Sequence, residues 1–199
     1  MLVTESLSVL PFEDTVQACI RGGASVLQLR EKARPRNEIL DLARRARRIV
    51  GGSPVTLIVN DDPEIAHEAG ADGVHVGAED MDPAEVRARY GRELVVGVTC
   101  HSMEEAARAV SDGADYLGVG PMFPSSTKDA GPVQGPTFLA SVLGEVELPC
   151  FAIGGIDRER VAELAAVGAR AIAVCGAVLS RTDMEAAVRE LDRALRVAP

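Results

Sequence analysis

One phrase, used four times, constrains this chain more than its composition does. Gly23-Ala24-Ser25-Val26-Leu27, Gly70-Ala71-Asp72-Gly73-Val74, Gly113-Ala114-Asp115-Tyr116-Leu117 and Gly168-Ala169-Arg170-Ala171-Ile172 each pass from Gly-Ala, through a short residue or Arg, into apolar residues. Glycine suits the left-handed residue that ends a helix. A short apolar run suits a buried strand. Each phrase therefore predicts a helix end, a tight turn and a strand start. Four further apolar runs lie between the phrases, at 1–3, 55–59, 94–98 and 150–153. Strands and helices thus alternate along the chain, which implies a parallel sheet. The repeat unit of about 45 to 55 residues holds two βα units, and four copies make eight. Eight units predict a single closed (β/α)8 barrel over residues 1–199, small for that fold. The competing open, doubly wound sheet needs a glycine-rich turn after its first strand, and residues 4–10 contain no glycine.

Helix starts agree with this count. Asp62-Pro63 and Asp82-Pro83 place a capping Asp before a Pro suited to the first helical position. Ser102 with Glu105 and Thr182 with Glu185 have the spacing of capping boxes. Ile39, Leu42, Ala43, Ala46 and Ile49 recur at helical spacing, while Arg44, Arg45, Arg47 and Arg48 read as a solvated face.

The net charge of −9 disfavours nucleic acid and anionic membranes as partners. A small anion is not disfavoured, because it responds to local donors. No apolar run reaches the length of a membrane span, and MLVTESLSVL lacks the basic region of a secretory signal. Cys19, Cys100, Cys150 and Cys175 are scattered with no paired spacing, which reads as reduced thiols in a cytoplasmic protein. These features leave a homo-oligomer open.

A barrel collects its chemistry where its strands end. After the second predicted strand, alternation puts Gln28, Arg30 and Lys32 on one side, where two cations and an amide can hold a phosphate. Asp61 follows the third strand and Asp80 the fourth, neither beside a cation in sequence. Two carboxylates facing two phosphate-holding cations imply a divalent ion between them, and oxygen ligands of this kind describe Mg²⁺. Asp62 reads as a helix cap only, and His75 as a satisfied core histidine. After the fifth strand Thr99 offers a hydroxyl and His101 is either a proton carrier or a loop residue. Cys100 has no base beside it in sequence, so covalent catalysis is disfavoured. After the seventh and eighth strands, Gly155 and Gly176 let backbone N–H groups approach a second anion. The stretch GPMFPSSTKDAG at 120–131 sets Ser125, Ser126, Thr127 and Lys128 side by side behind a proline-stiffened lead-in. Its hydroxyls and ammonium can serve both anions.

Together, QLREK at 28–32, VND at 59–61, DGVHVGAED at 72–80, GVTCH at 97–101, GADYLGVGPMFPSSTK at 113–128 and AIGGI at 152–156 resemble the thiamine-phosphate synthase family. The resemblance runs from Gly22 to Ser180. It implies a (β/α)8 barrel that couples hydroxymethylpyrimidine pyrophosphate with hydroxyethylthiazole phosphate, giving thiamine phosphate and pyrophosphate. It implies that Gln28, Leu29, Arg30, Glu31, Lys32 and Asn60 bind the pyrimidine pyrophosphate, and that Thr99 and Lys128 contact its pyrophosphate. It implies that Ser125, Ser126, Thr127, Gly155, Cys175 and Gly176 bind the thiazole phosphate and that Asp61 and Asp80 hold Mg²⁺. Arg30, Lys32, Thr99 and Lys128 then carry the catalysis. The chain departs from the family's pattern at Thr99 (usually Ser), Ala78 (often Gln), Ser125 (usually Thr) and Glu5 (commonly Asp). None of these changes removes a proposed charge. The competing readings are a thiazole tautomerase on the same barrel using His101, a non-catalytic phosphate-ligand sensor, and a barrel enzyme with one phosphate site, such as an epimerase.

Overall fold

The computed structural model describes residues 1–125 and 131–197. Eight parallel strands run in sequence order around one sheet: β1 Leu2–Val3, β2 Val26–Leu29, β3 Thr56–Asn60, β4 Gly73–Val76, β5 Val95–Cys100, β6 Tyr116–Val119, β7 Cys150–Ile153 and β8 Ala171–Ala173. The Leu2 N–H donates to the Val174 carbonyl at 2.9 Å, so the first strand meets the end of the last and the sheet closes on itself. Helices α1 Phe12–Gly22, α2 Arg36–Val50, α3 Pro63–Ala69, α4 Pro83–Tyr90, α5 Met103–Ser111, α6 Gly135–Glu145 and α7 Val161–Ala166 follow the first seven strands. A short α8, Gly176–Leu179, and α9, Met184–Val197, follow the eighth. This is the (β/α)8 barrel that the repeat predicts.

The repeated phrase has a local cause. Gly23, Gly70, Gly113 and Gly168 all have positive φ, between 65° and 96°, and each turns the chain from a helix end toward the next strand. The residue two places later does different work in different copies. Asp72 accepts from the Leu57 N–H at 2.8 Å, and Asp115 accepts from the Val96 N–H at 2.7 Å. Each aspartate thereby ties its own strand start to the backbone of the preceding strand. Arg47 pairs with Asp72 at 3.2 Å and Arg87 pairs with Asp115, so an outer helix is fastened to the same point. The basic face of α2 is therefore not wholly solvated: Arg45 also reaches Glu13 on α1, at 2.6 Å, and lies over the Phe12 ring.

The core lies between the sheet and the helices, and the inside of the barrel is partly polar. Leu42, Ala43 and Ala46 are buried as their spacing predicts, with Val50 extending the stripe and Ile39 and Ile49 at its edge. Asp62, Asp82 and Ser102 cap α3, α4 and α5 by accepting from Ile65, Ala84 and Glu105 N–H groups. At α9 the cap is Asp183, which accepts from the Ala186 N–H at 2.9 Å, one residue beyond the expected Thr182. Glu185 is drawn off the helix end by Arg21 at 2.9 Å and by Arg189, which is why the expected box gives way. No helix among the described residues is long and apolar enough to cross a membrane.

Candidate active site

All eight strands end on the same side, and there a cavity of about 300 Å³ opens. Gln28, Arg30, Asn60, Thr99, Ser125, Gly155, Cys175 and Gly176 line it. Residues from the first and last strands thus share one space, although they are far apart in sequence.

On the β2–β4 side the alternation holds for Gln28 and Arg30, whereas Lys32 is not among the residues that line the cavity. Gln28 and Arg30 face the cavity, whereas Leu29 packs in the hydrophobic core. Arg30 is positioned through its backbone: its N–H donates to the Val3 carbonyl at 3.0 Å, and its carbonyl accepts from the Thr4 hydroxyl at 2.7 Å. Glu31 is buried, with Arg34 3.7 Å away. Lys32 Nζ lies 2.7 Å from Asp61 Oδ2, so a cation absent beside Asp61 in sequence is beside it in space. Asp61 has a φ of 70°, a left-handed conformation that aspartate tolerates better than most residues, and its N–H donates to the His75 carbonyl at 2.8 Å. Asp80 Oδ2 accepts from the Gly77 N–H at 2.7 Å. Burial pushes the Asp80 carboxyl above the ordinary carboxylate range and the neighbouring Asp61 carboxyl adds to the rise, while the Gly77 N–H and the Lys32 charge oppose it.

Neighbouring carboxylates call for positive charge, and Lys32 supplies it by direct contact to Asp61 and from farther off to Asp80. An all-oxygen pair of this kind fits Mg²⁺, which takes few protein carboxylates and completes its shell with water and phosphate. No group of three or more metal-binding side chains occurs among the described residues, so the protein alone offers a partial shell.

On the β7–β8 side the lining is mostly backbone. Gly154 and Gly155 have φ values of 96° and 64°. A Cβ on Gly155 would stand 2.5 Å from the carbonyl oxygens of Phe123 and Pro124, so this glycine also lets the loop after β6 pack on the loop after β7. Sequence reasoning missed Arg160, which lines the cavity. Its Nη1 donates to the Gly155 carbonyl at 2.5 Å, and its guanidinium lies 5.1 Å over the Phe123 ring. Asp157 is 3.6 Å from its Nε. Nothing in the sequence marks it, because five residues and a turn separate it from the glycine that it braces. Burial raises the Cys175 thiol, and the Arg30 charge opposes the rise. Ser126, Thr127 and Lys128 lie outside the described residues.

His75 is buried, as a core histidine should be, but it also lines the cavity. Its Nε2 is 2.7 Å from Thr99 Oγ1 and its Nδ1 is 3.0 Å from the Tyr116 hydroxyl. His101 lines the mouth with its Nδ1 3.2 Å from Glu105 Oε2. Cys100 is fully buried and its thiol is pushed up to about 12 by burial, so it is a neutral thiol at physiological pH and a poor nucleophile.

A sequence model of the family described as thiamine monophosphate synthase matches residues 1–178. A protein of Chloroflexus aurantiacus named thiamine-phosphate synthase is 44% identical over 177 residues, 88% of this chain and 82% of that one. One of the same name from Methanocella arvoryzae is 41% identical, covering 92% of this chain and 86% of that one. The solved thiamine phosphate pyrophosphorylase of Pyrococcus furiosus superposes with a TM-score of 0.89 at 31% identity, covering 98% of this chain and 93% of that one. A 3-hexulose-6-phosphate synthase, at 21% identity and a TM-score of 0.69 over 94% of this chain and 96% of that one, shares the fold.

Proposed function

The chain belongs to the thiamine monophosphate synthase family and is a transferase, and from that premise we propose that it joins hydroxymethylpyrimidine pyrophosphate to hydroxyethylthiazole phosphate. The observation that carries this reading is that Gln28, Arg30, Asn60 and Thr99 line the same cavity as Ser125, Gly155, Cys175 and Gly176. Two phosphorylated substrates must meet with their reacting atoms in contact while their anions stay apart. A site with one charged side and one backbone side meets that need.

In this mechanism the pyrimidine ring sits against Gln28 and Asn60. Arg30, Lys32 and, by family resemblance, Lys128 surround the pyrophosphate. The carbon–oxygen bond to the pyrophosphate breaks ahead of attack, toward a pyrimidine-stabilised cation. The leaving group gains negative charge as it departs, so these cations stabilise the transition state more than the ground state. Asp61 and Asp80 would hold Mg²⁺, which when bound supplies further positive charge to the leaving pyrophosphate. Lys32, now on Asp61, is released to the pyrophosphate when those carboxylates are otherwise neutralised. The thiazole nitrogen attacks from a position fixed by its own phosphate, held by Ser125, Ser126, Thr127, Gly155, Cys175 and Gly176. No protein nucleophile or strong base is needed, in keeping with a neutral Cys100.

The test is direct. Both precursors with Mg²⁺ are expected to give thiamine phosphate and pyrophosphate, and a chelator to stop the reaction. If neither product forms with both substrates present, the synthase reading is wrong. One observation favours a second reading: His101 faces the cavity with a carboxylate on its Nδ1, an arrangement that can move a proton. Isomerisation of a thiazole phosphate tautomer, lost in His101→Gln, would establish a tautomerase instead.

A further inference from the structure

The cavity takes two anions on the proposed reading, and two guanidiniums line it: Arg30 from the end of β2 and Arg160 at the start of α7. Arg30 belongs to the QLREK motif. Arg160 lies outside every motif that the resemblance rests on. It stands on the side where the other groups assigned to a phosphate, Ser125, Gly155, Cys175 and Gly176, carry no charge.

Three contacts fix the Arg160 guanidinium. Its Nη1 donates to the Gly155 carbonyl at 2.5 Å, its Cζ lies 5.1 Å from the centre of the Phe123 ring, and Asp157 Oδ2 stands 3.6 Å from its Nε. None of them uses Nη2, which has no hydrogen-bond partner among the described residues. A guanidinium that only braced a loop would need one donor and the ring. This one keeps two further N–H groups in reserve, on a side chain that lines the cavity and is 36% exposed, so a ligand can reach it.

Asp157 stands against that charge. It is the one carboxylate among the described residues that line the cavity. Its Oδ1 accepts from the Glu159 and Arg160 N–H groups, both at 3.1 Å, so the backbone holds it in place without help from the ion pair. Its Oδ2 is left beside the guanidinium, where it lowers the positive charge that an anion meets.

We propose that Arg160 holds the phosphate of the thiazole substrate directly, through Nη2, and that Asp157 limits how tightly it does so. The proposal rests on the synthase reading and deepens it. A guanidinium suits a phosphate oxygen because the hydrogen bond is charge-assisted. The coupled product keeps this phosphate, so a stronger grip on substrate is also a stronger grip on product, and Asp157 favours release.

Inorganic phosphate is the probe, because its binding is read without either substrate. Calorimetry is done in Arg30→Gln, which removes the cavity's other guanidinium, and the next two changes are added to that chain. Arg160→Gln is expected to weaken phosphate about tenfold, the scale of one hydrogen bond involving a charged group. Asp157→Asn keeps the Oδ1 acceptor and removes the charge, and is expected to tighten phosphate about threefold, the scale of an exposed ion pair. The aspartate variant separates holding from bracing. If Arg160 only fastened the loop, losing the neighbouring charge would leave phosphate binding unchanged or weaker, and either result would overturn the proposal. No phosphate binding in Arg30→Gln, or equal binding with and without the Arg160 guanidinium, would overturn it as well. In the otherwise unaltered chain, Asp157→Asn is expected to lower KM for thiazole phosphate about threefold without raising kcat. A change in KM for the pyrimidine pyrophosphate alone would put Arg160 on the other anion and end the proposal. If the parent protein bound phosphate in this way yet coupled no substrates, the synthase reading would fall and the Arg160 site would stand.

Discussion

At the ends of β2, β3 and β4 the cavity is lined by Gln28, Arg30 and Asn60, and beside it stand charged side chains already engaged, with Lys32 on Asp61 and Asp80 on the Gly77 N–H. At the ends of β7 and β8 it is lined by glycine-rich backbone braced by one guanidinium. The two sides differ in what can damage them. A charged side depends on its balance, so removing one charge changes the state of the others. A backbone side keeps its N–H groups through any substitution other than proline, and otherwise fails only when volume is added or the loop shifts. The same ligand chemistry, a phosphate, is thus met by a side that can respond to the departing charge and a side that holds still. On the proposed reading the first suits a group that leaves and the second a group that stays.

The largest effect that tests this contrast is expected at Asp61. Asp61→Asn removes the charge while keeping a residue type that accepts a φ of 70°, so the backbone is preserved. Coupling activity should fall by roughly 100- to 1000-fold, with thiazole phosphate affinity by calorimetry unchanged. Undiminished turnover would remove the metal from the mechanism. Gly155→Ala tests the other side by adding one methyl group to a site with carbonyl oxygens 2.5 Å away. A loop displaced by about 1 Å can cost on the order of 100-fold, here expected in KM for thiazole phosphate, with pyrimidine pyrophosphate affinity retained. Thermal melting of the variant, measured alongside, separates a shifted loop from a lost fold. If both substrates were affected equally, the two sides would not be independent.

Arg160 offers a smaller and sharper probe, because it joins the braced loop to the Phe123 ring. Arg160→Gln is expected to raise KM for thiazole phosphate about tenfold, the scale of one hydrogen bond involving a charged group. Arg160→Lys should not restore it, since an ammonium cannot lie flat over the ring and reach the Gly155 carbonyl together. A fully active lysine variant would mean that only charge matters there.

How much of this was legible in the sequence follows from how local each cause is. The eight strands were legible because each Gly-Ala phrase carries its own turn chemistry, and the positive φ values at Gly23, Gly70, Gly113 and Gly168 show that chemistry at work. Gln28, Arg30, Asn60 and Thr99 were legible because period-two alternation and strand ends are local properties. The contact between Lys32 and Asp61 was not, since it depends on how the loops after β2 and β3 lean together. In sequence His75 reads as a core residue, because burial is what a strand histidine predicts. Its two partners come from β5 and β6, and only the closed barrel brings them to it. Arg160 was invisible for a similar reason: its role depends on the loop after β6 packing on the loop after β7. At α9, two adjacent capping residues competed, and the ion pairs of Glu185 settled the outcome in favour of Asp183.

The smallest effect is expected at the cysteine that lies between the two sides at the end of β5. Cys100 is fully buried with its thiol pushed up to about 12, and Cys19, buried on α1, is pushed up to about 11. An unfolded thiol ionises near pH 8.5. Below that pH both states keep their protons and these thiols favour neither. Above it the unfolded chain releases protons that the folded chain retains, so stability falls as pH rises toward the folded values. The urea midpoint should therefore be lower at pH 10 than at pH 8, and the gap should narrow in Cys100→Ala. The same variant should couple substrates within about twofold of the parent at neutral pH, because a neutral thiol does no chemistry there. An inactive Cys100→Ala that still melts cooperatively would place a nucleophile between the two sides, and the division of labour between charge and backbone would no longer account for catalysis.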